Sequence, residues 1–252
     1  MSNSTLYITG AGVSAESGIP TFRGSDGFWT VGSVNYTPQE MATRRMYLSQ
    51  PDEFLLWHFQ RFASYRHVQP NQVHHWLYNK NLITQNIDGL DGKAGNHTYI
   101  LIHGRLDKVS VLQEQGMLVS IEDAPWEDIV RYSEQSDDEL RLKVILLDAF
   151  RISRKTLTPE PMVSLKPFLL LFDEHYTDFY RISDAEKRMQ TADFMVFMGT
   201  SFSVNITNIA LRHAMMTGAL IEVVDPDPVD IGIPNIVSHQ MSAQDFIARD
   251  PA

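Results

Sequence analysis

A short apolar stretch, Leu6-Tyr7-Ile8, runs almost directly into GAGVSAESGIPTFRG at residues 10–24. Gly10, Gly12 and Ala15 fall at the G-x-G-x-x-(G/A) spacing of a dinucleotide-binding turn between a strand and a helix. Small residues there let the backbone approach a pyrophosphate and let the helix pack close to the strand. Ser14 and Ser17 flank Glu16, and Gly18-Ile19-Pro20 ends the helix after about two turns. Phe22-Arg23-Gly24 then places an aromatic ring and a fixed cation at the mouth of the turn. A guanidinium can hold a phosphate through two parallel hydrogen bonds; an isolated arginine in a turn reads as a surface residue, but the GIPTFRG setting favours the phosphate reading.

Such a turn needs a parallel sheet around it. Apolar strand candidates recur at 6–9, 82–85, 98–102, 168–172, 194–198 and 219–224, with helical sequence between several of them. Alternation of this kind predicts an α/β fold with a parallel, Rossmann-like sheet and helices on both faces. Phe194–Met198 and Ala219–Val224 are nearly continuous apolar runs, as expected of strands covered on both faces. They end at Gly199-Thr200-Ser201 and Asp225-Pro226, and ligands in such sheets sit at the carboxyl ends of the strands.

Composition narrows the chemistry. The chain has 252 residues, 43% of them hydrophobic, which suits one large domain or a domain with a small insert. The longest apolar stretches are far short of the roughly 20 residues that span a bilayer. Met1-Ser2-Asn3-Ser4-Thr5 is polar and has no signal-peptide character, so a cytoplasmic location is expected. A net charge of −10 opposes binding to nucleic acid or to an anionic membrane. There are no cysteines, which excludes disulfides and thiolate metal sites. No histidine lies between His103 and His175 to replace them, so no structural zinc is expected. The oligomeric state stays open.

Further candidates follow the strands. In Thr84-Gln85-Asn86-Ile87-Asp88-Gly89-Leu90, an amide and a carboxylate can orient a ribose and a carboxamide and stabilise positive charge. Asn-x-Asp-Gly is also ordinary turn chemistry. His103-Gly104 closes the stretch Tyr99–Ile102, and an imidazole there can take a proton from a hydroxyl near neutral pH. Thr200 and Ser201 can donate to ribose and phosphate, or cap a helix starting near Asn205. His74 and His75 sit in helical sequence and read as packing or surface residues.

These four segments, in this order, resemble the motifs of the sirtuins, NAD-dependent protein deacylases. Gly27-Phe28-Trp29, Pro70-Asn71 with His74, and Lys166-Pro167 add weaker matches. The resemblance implies NAD as cofactor, held by Gly10, Ala11, Gly12, Ser14, Phe22, Arg23, Gln85, Ile87, Gly199, Thr200, Ser201 and Asp225. It implies His103, Asn86 and Asp88 as catalytic residues, and an acyl-lysine peptide pairing as a strand along Leu170, Phe172 and Asp173. It further implies a single catalytic domain over 1–252, with helical inserts at about 36–78 and 105–162. In the mechanism it implies, nicotinamide leaves, the acyl oxygen attacks the ribose, and His103 deprotonates a ribose hydroxyl. The products are free lysine, nicotinamide and O-acyl-ADP-ribose.

Several positions depart from the pattern. The family's four-cysteine zinc ribbon is missing, and a helical pair over 125–151 stands in its place. Leu140, Val144, Leu147 and Phe150 give that pair an apolar stripe that could act as a staple. Asp91 occupies a position where the family commonly has His. Asp173 replaces a glycine at the expected peptide edge, where a Cβ and a charge would obstruct a peptide backbone. NAD hydrolysis or ADP-ribosyl transfer to protein therefore stays open as an alternative, as does a non-enzymatic NAD or ADP-ribose sensor.

Overall fold

The computed structural model describes residues 4–21, 36–134, 138–234 and 236–249. Phe22, Arg23, Gly27, Phe28 and Trp29 lie outside the described residues. The strands are β1 (Thr5–Thr9), β2 (Asn81–Thr84), β3 (Ile100–Leu101), β4 (Gly104–Val111), β5 (Glu122–Asp123), β6 (Leu165–Leu169), β7 (Phe194–Met198), β8 (Leu220–Asp225) and β9 (Val237–Gln240). The helices are α1 (Pro38–Met41), α2 (Arg44–Ser49), α3 (Pro51–Tyr65), α4 (Gln72–Trp76), α5 (Leu90–Lys93), α6 (Trp126–Ser133), α7 (Glu139–Ala149), α8 (Ile182–Thr191), α9 (Asn205–Thr217) and α10 (Ala243–Arg249). The chain divides into two compact units, one from Met1–Thr21, Val68–Ile102 and Tyr180–Ala252, the other from Phe22–His67 and His103–Phe179.

The first unit holds a six-stranded sheet in the order β3-β2-β1-β7-β8-β9, and every pairing in it is parallel. Counted within this sheet alone, that is the 3-2-1-4-5-6 order of a dinucleotide-binding fold. Its direction of winding reverses between β1 and β7, which places a crevice at their carboxyl ends. Apolar side chains from strands and helices close one face, with Val73, Leu77, Leu82, Met198 and Val224 all fully buried. β9 has the sequence VSHQ and no apolar run, so the sequence gives no signal for it. It forms because β8 offers a free edge, in register from Glu222↔Val237 to Asp225↔Gln240.

The second unit is not purely helical. It combines an antiparallel sheet in the order β5-β4-β6 with α1–α3, α6 and α7. The expected strand at 168–172 is displaced toward the N-terminus as β6 and belongs to this antiparallel sheet, not to the parallel one. The first insert was expected to run to 78, yet α4 belongs to the first unit and the division falls at His67. The helical pair is present as α6 and α7. Its stripe is shorter than the spacing implied: Leu147 and Phe150 are buried, while Leu140 is 76% exposed. Trp126 anchors the pair. It is fully buried, its ring centroid lies 4.6 Å from that of Phe150, and its indole N–H donates to Leu106 O at 2.8 Å.

Candidate active site

In the first unit, β1 runs into the Gly10 turn and then into a short 3-10 helix over Ala11–Ser17. The expected helix is present but is wound more tightly than an α-helix. Gly18, at φ 91°, ends it. The glycine spacing has a physical cause in this fold. A Cβ on Gly10 would lie 2.7 Å from Gly199 O, and one on Gly12 would lie 2.6 Å from Gly199 Cα. The two turns are also hydrogen-bonded, Gly10 N–H to Met198 O at 3.0 Å and Gly12 N–H to Gly199 O at 2.9 Å. The first and last sequence motifs thus form one substructure at the β1–β7 crevice.

The motif after β2 joins the same rim. Gln85 N–H donates to Thr9 O at 2.9 Å, and its side chain donates to Thr200 Oγ1 at 3.2 Å. Asn86 is buried, and its Nδ2 donates to Gly10 O at 3.1 Å and to Ser14 Oγ at 3.2 Å. Ser14 Oγ donates to Asp88 Oδ2 at 2.7 Å, while Asp88 Oδ1 accepts from Leu90 N–H at 2.9 Å. Gly89, at φ 76°, lets the chain turn from Asp88 into α5. Ser14, Asn86 and Asp88 therefore form a connected polar cluster with Gly10 beneath it.

His74 completes this cluster. Fully buried, it packs beside the 3-10 helix and not on a helix surface. Asn71 caps α4, accepting from Val73 N–H and His74 N–H, and its Nδ2 donates to Val13 O at 2.8 Å. His74 Nδ1 accepts from Asn71 N–H at 3.2 Å. Nδ1 also lies 2.9 Å from Asn71 Oδ1, and Nε2 faces Ser14 Oγ at 3.4 Å. Burial pushes its pKa down to about 4, so the ring is neutral beside the Ser14 hydroxyl that donates to Asp88. The Pro70-Asn71…His74 match was the available signal, and the helical setting masked it.

Other rim candidates take structural duties as well. Thr200 is buried, and Ser201 Oγ lies 2.8 Å from Ser203 Oγ. Neither caps α9, whose N-cap is Val204 without a side-chain bond. Asp225 ends β8 and accepts from Asp227 N–H at 2.9 Å. Ala11 and Ile87 are half-buried. The donor set of hydroxyls and amides at these strand ends suits phosphate and ribose oxygens. Ser17 Oγ, buried at the end of the 3-10 helix, has no protein partner and fits such a ligand too.

In the second unit, His103 O accepts from Leu170 N–H at 3.1 Å. Gly104 sits at φ 79°, and a Cβ there would lie 1.9 Å from Phe168 O, so only glycine fits after the histidine. His103 Nε2 is 2.9 Å from Tyr176 Oη, a partner with no motif to announce it. Leu170, Phe172 and Asp173 do not form a strand edge, since β6 stops at Leu169. Phe172 N–H donates to Ala42 O at 3.0 Å. Asp173 is a helix cap: its carboxylate accepts from Arg44 N–H at 2.6 Å and Arg45 N–H at 3.0 Å, the first two residues of α2. Beside it Glu174 pairs with Arg44 at 2.8 Å and with the buried Lys166 at 3.1 Å.

Comparison with known proteins matches this arrangement. The Sir2 family model matches residues 10–206. An NAD-dependent protein deacylase of Bacteroides thetaiotaomicron is 30% identical over 232 residues, covering 89% of this chain and 86% of its own length. NAD-dependent protein deacylase 1 of Caldanaerobacter subterraneus subsp. tengcongensis is 29% identical, covering 98% and 93%. A solved mutant Sir2 homologue in complex with 2′-O-acetyl ADP ribose is 26% identical, with a TM-score of 0.71 over 98% of this chain and 89% of that one. With its sheet order, its paired glycine turns and its Asn86–Asp88 segment matched across most of its length, the chain belongs to the Sir2 family.

Proposed function

We propose that this chain is an NAD-dependent protein lysine deacylase. The observation that carries the reading is the meeting of the Gly10, Asn86 and Gly199 motifs on one rim of a 3-2-1-4-5-6 sheet. The Gly10–Gly12 backbone faces the pyrophosphate, and Thr200, Ser201 and Asp225 take the adenosine side. Phe22 and Arg23, outside the described residues, are proposed as further cofactor contacts. NAD supplies a cationic leaving group and a ribose that accepts the acyl oxygen. Asn86 and Asp88 orient the carboxamide and ribose, with Ser14 and His74 fixing them. His103 takes a proton from a ribose hydroxyl. A neutral acyl-lysine is the substrate, no metal takes part, and the cytoplasm is the proposed location. Among the described residues no helix is long and apolar enough to cross a membrane.

One observation favours the NAD hydrolase or ADP-ribosyltransferase reading instead. The expected peptide edge is not a strand, and Phe172 N–H is already bonded to Ala42. The deciding experiment incubates the protein with NAD, with and without an acetyl-lysine peptide, and identifies products by mass spectrometry. Peptide-dependent O-acetyl-ADP-ribose supports deacylation; free ADP-ribose at the same rate without peptide replaces it with hydrolysis. Asn86→Ala should abolish nicotinamide release and exchange. His103→Ala should stop net deacylation while leaving some peptide-dependent nicotinamide exchange. Equal loss of exchange in both variants would move His103 to the first step.

A further inference from the structure

His103 and Tyr176 lie in the same compact unit, and β6 anchors the backbone on both sides of their contact. His103 precedes Gly104, where β4 begins opposite Leu169 of β6, and His103 O accepts from Leu170 N–H at 3.1 Å. Tyr176 follows a turn over 171–174 that closes on Glu174. Glu174 N–H donates to Leu171 O at 2.9 Å, and Glu174 Oε2 accepts from Leu171 N–H at 3.0 Å. The same oxygen meets the buried Lys166 Nζ at 3.1 Å, and that ammonium also donates to Leu169 O at 2.7 Å. Next in the chain, His175 N–H donates to Gln115 Oε1 at 2.9 Å. Beyond Tyr176, Phe179 packs edge-on against Phe168 of β6, with ring centroids 5.0 Å apart. Between these fixed segments the two half-buried side chains meet. His103 Nε2 is 2.9 Å from Tyr176 Oη, with ring centroids 5.8 Å apart and planes 30° apart.

We infer that Tyr176 is a positioning residue for the base: its phenol oxygen accepts from His103 Nε2–H and holds the imidazole with Nδ1 as the nitrogen that takes the ribose proton. The inference rests on the deacylase reading above. A neutral imidazole has one N–H and one bare nitrogen. If the phenol donated to Nε2 instead, that bare nitrogen would be occupied and the held ring could take no further proton. The base role therefore selects the Nε2–H form. When the proton passes from the ribose hydroxyl to Nδ1, no bond to Tyr176 forms or breaks, and Nε2–H goes on donating to Oη. That hydrogen bond is then charge-assisted and stronger, so it stabilises the imidazolium as it forms. A carboxylate in the same place would hold the ring as well, but it would favour the protonated form before any substrate arrived.

Tyr176→Phe removes the hydroxyl and keeps the ring. With NAD, an acetyl-lysine peptide and labelled nicotinamide, its net deacylation should fall relative to nicotinamide exchange by about tenfold, the order that one charge-assisted hydrogen bond contributes. A merely structural role would slow both reactions equally. NMR spectra of the histidine ring nitrogens read the contact itself, with His103 assigned by its loss from His103→Ala. The neutral His103 ring should carry its proton on Nε2 in wild type and become a mixture of both forms in Tyr176→Phe. These spectra need no turnover, and the wild-type form alone decides the point if the variant fails to fold. An unchanged ratio of deacylation to exchange, an equal fall in both, a wild-type His103 ring protonated on Nδ1, or identical ring spectra in wild type and Tyr176→Phe would each overturn the inference and leave the deacylase reading standing. Wild type that forms no O-acetyl-ADP-ribose from NAD and the peptide would overturn that reading, and the inference with it.

Discussion

At the residue scale, three buried titratable groups contribute to how stability responds to pH, and they act in opposite directions. Burial lowers His58 to about 3 and His74 to about 4. Below about pH 6.5 the unfolded chain takes up protons at these positions and the folded one does not, so both contributions are lost as pH falls toward 4. Asp91, raised to about 7, keeps its proton in the folded state while the unfolded chain has lost it from about pH 4 upward. Its contribution therefore falls as pH rises through that window and is flat above it. Thermal melts of wild type and Asp91→Asn between pH 5 and pH 8 should diverge, the variant gaining relative stability as pH rises. Parallel curves would show that Asp91 ionises as an ordinary surface carboxyl does. None of these shifts was legible in the sequence. Asp91 and His74 are one letter each, and their pKa values come from what covers them.

At the scale of elements, the turns and the helical pair make separate predictions. A Cβ on Gly12 meets main-chain atoms of Gly199, which cannot rotate away. Gly12→Ala should cost about 1–3 kcal/mol of stability through overpacking. It should also weaken NAD binding, since relief requires the two turns to separate; an unchanged denaturant midpoint and NAD affinity would refute the contact. In α7, Leu147 is 3% exposed and Leu140 is 76% exposed. Leu147→Ala should cost about 2–5 kcal/mol, whereas Leu140→Ala should stay within about 0.5 kcal/mol. Equal effects on the unfolding curve would contradict the packing of this helix. The period of 3.6 residues marked the stripe, but it could not say where the stripe leaves the core. The Gly10 turn and the strand runs were readable as spacing and apolar pattern, although the contacts that require Gly10, Gly12 and Gly104 to be small come from Gly199 and Phe168, far along the chain. Asp173 was not readable in the same way. Its carboxylate meets the first N–H groups of a helix about 130 residues earlier in the chain, so only folding shows it to be a cap.

At the scale of the whole molecule, zero cysteines carry one prediction. Metal analysis should find no stoichiometric zinc, and a chelator should leave Tm unchanged, because structural zinc in proteins relies on Cys and His ligands. Among the described residues no group of three His, Asp or Glu side chains could hold an ion. One zinc per chain, or a chelator-induced fall in Tm, would overturn that expectation. The sequence by itself determined the family and the parallel sheet, since the motif spacings around Gly10, Asn86, Asp88 and Gly199 and the apolar strand runs are local patterns. The tertiary structure alone decided that Gly10 and Gly12 are small because Gly199 presses on them, that β9 extends the sheet, and that a second unit mixes strands with helices. It also decided which polar groups are buried together, making Ser14, His74, Asn86 and Asp88 one hydrogen-bonded cluster. The reason is physical. Backbone conformation is set within a few residues, whereas burial, close approach and charge environment are set by residues brought together from distant parts of the chain.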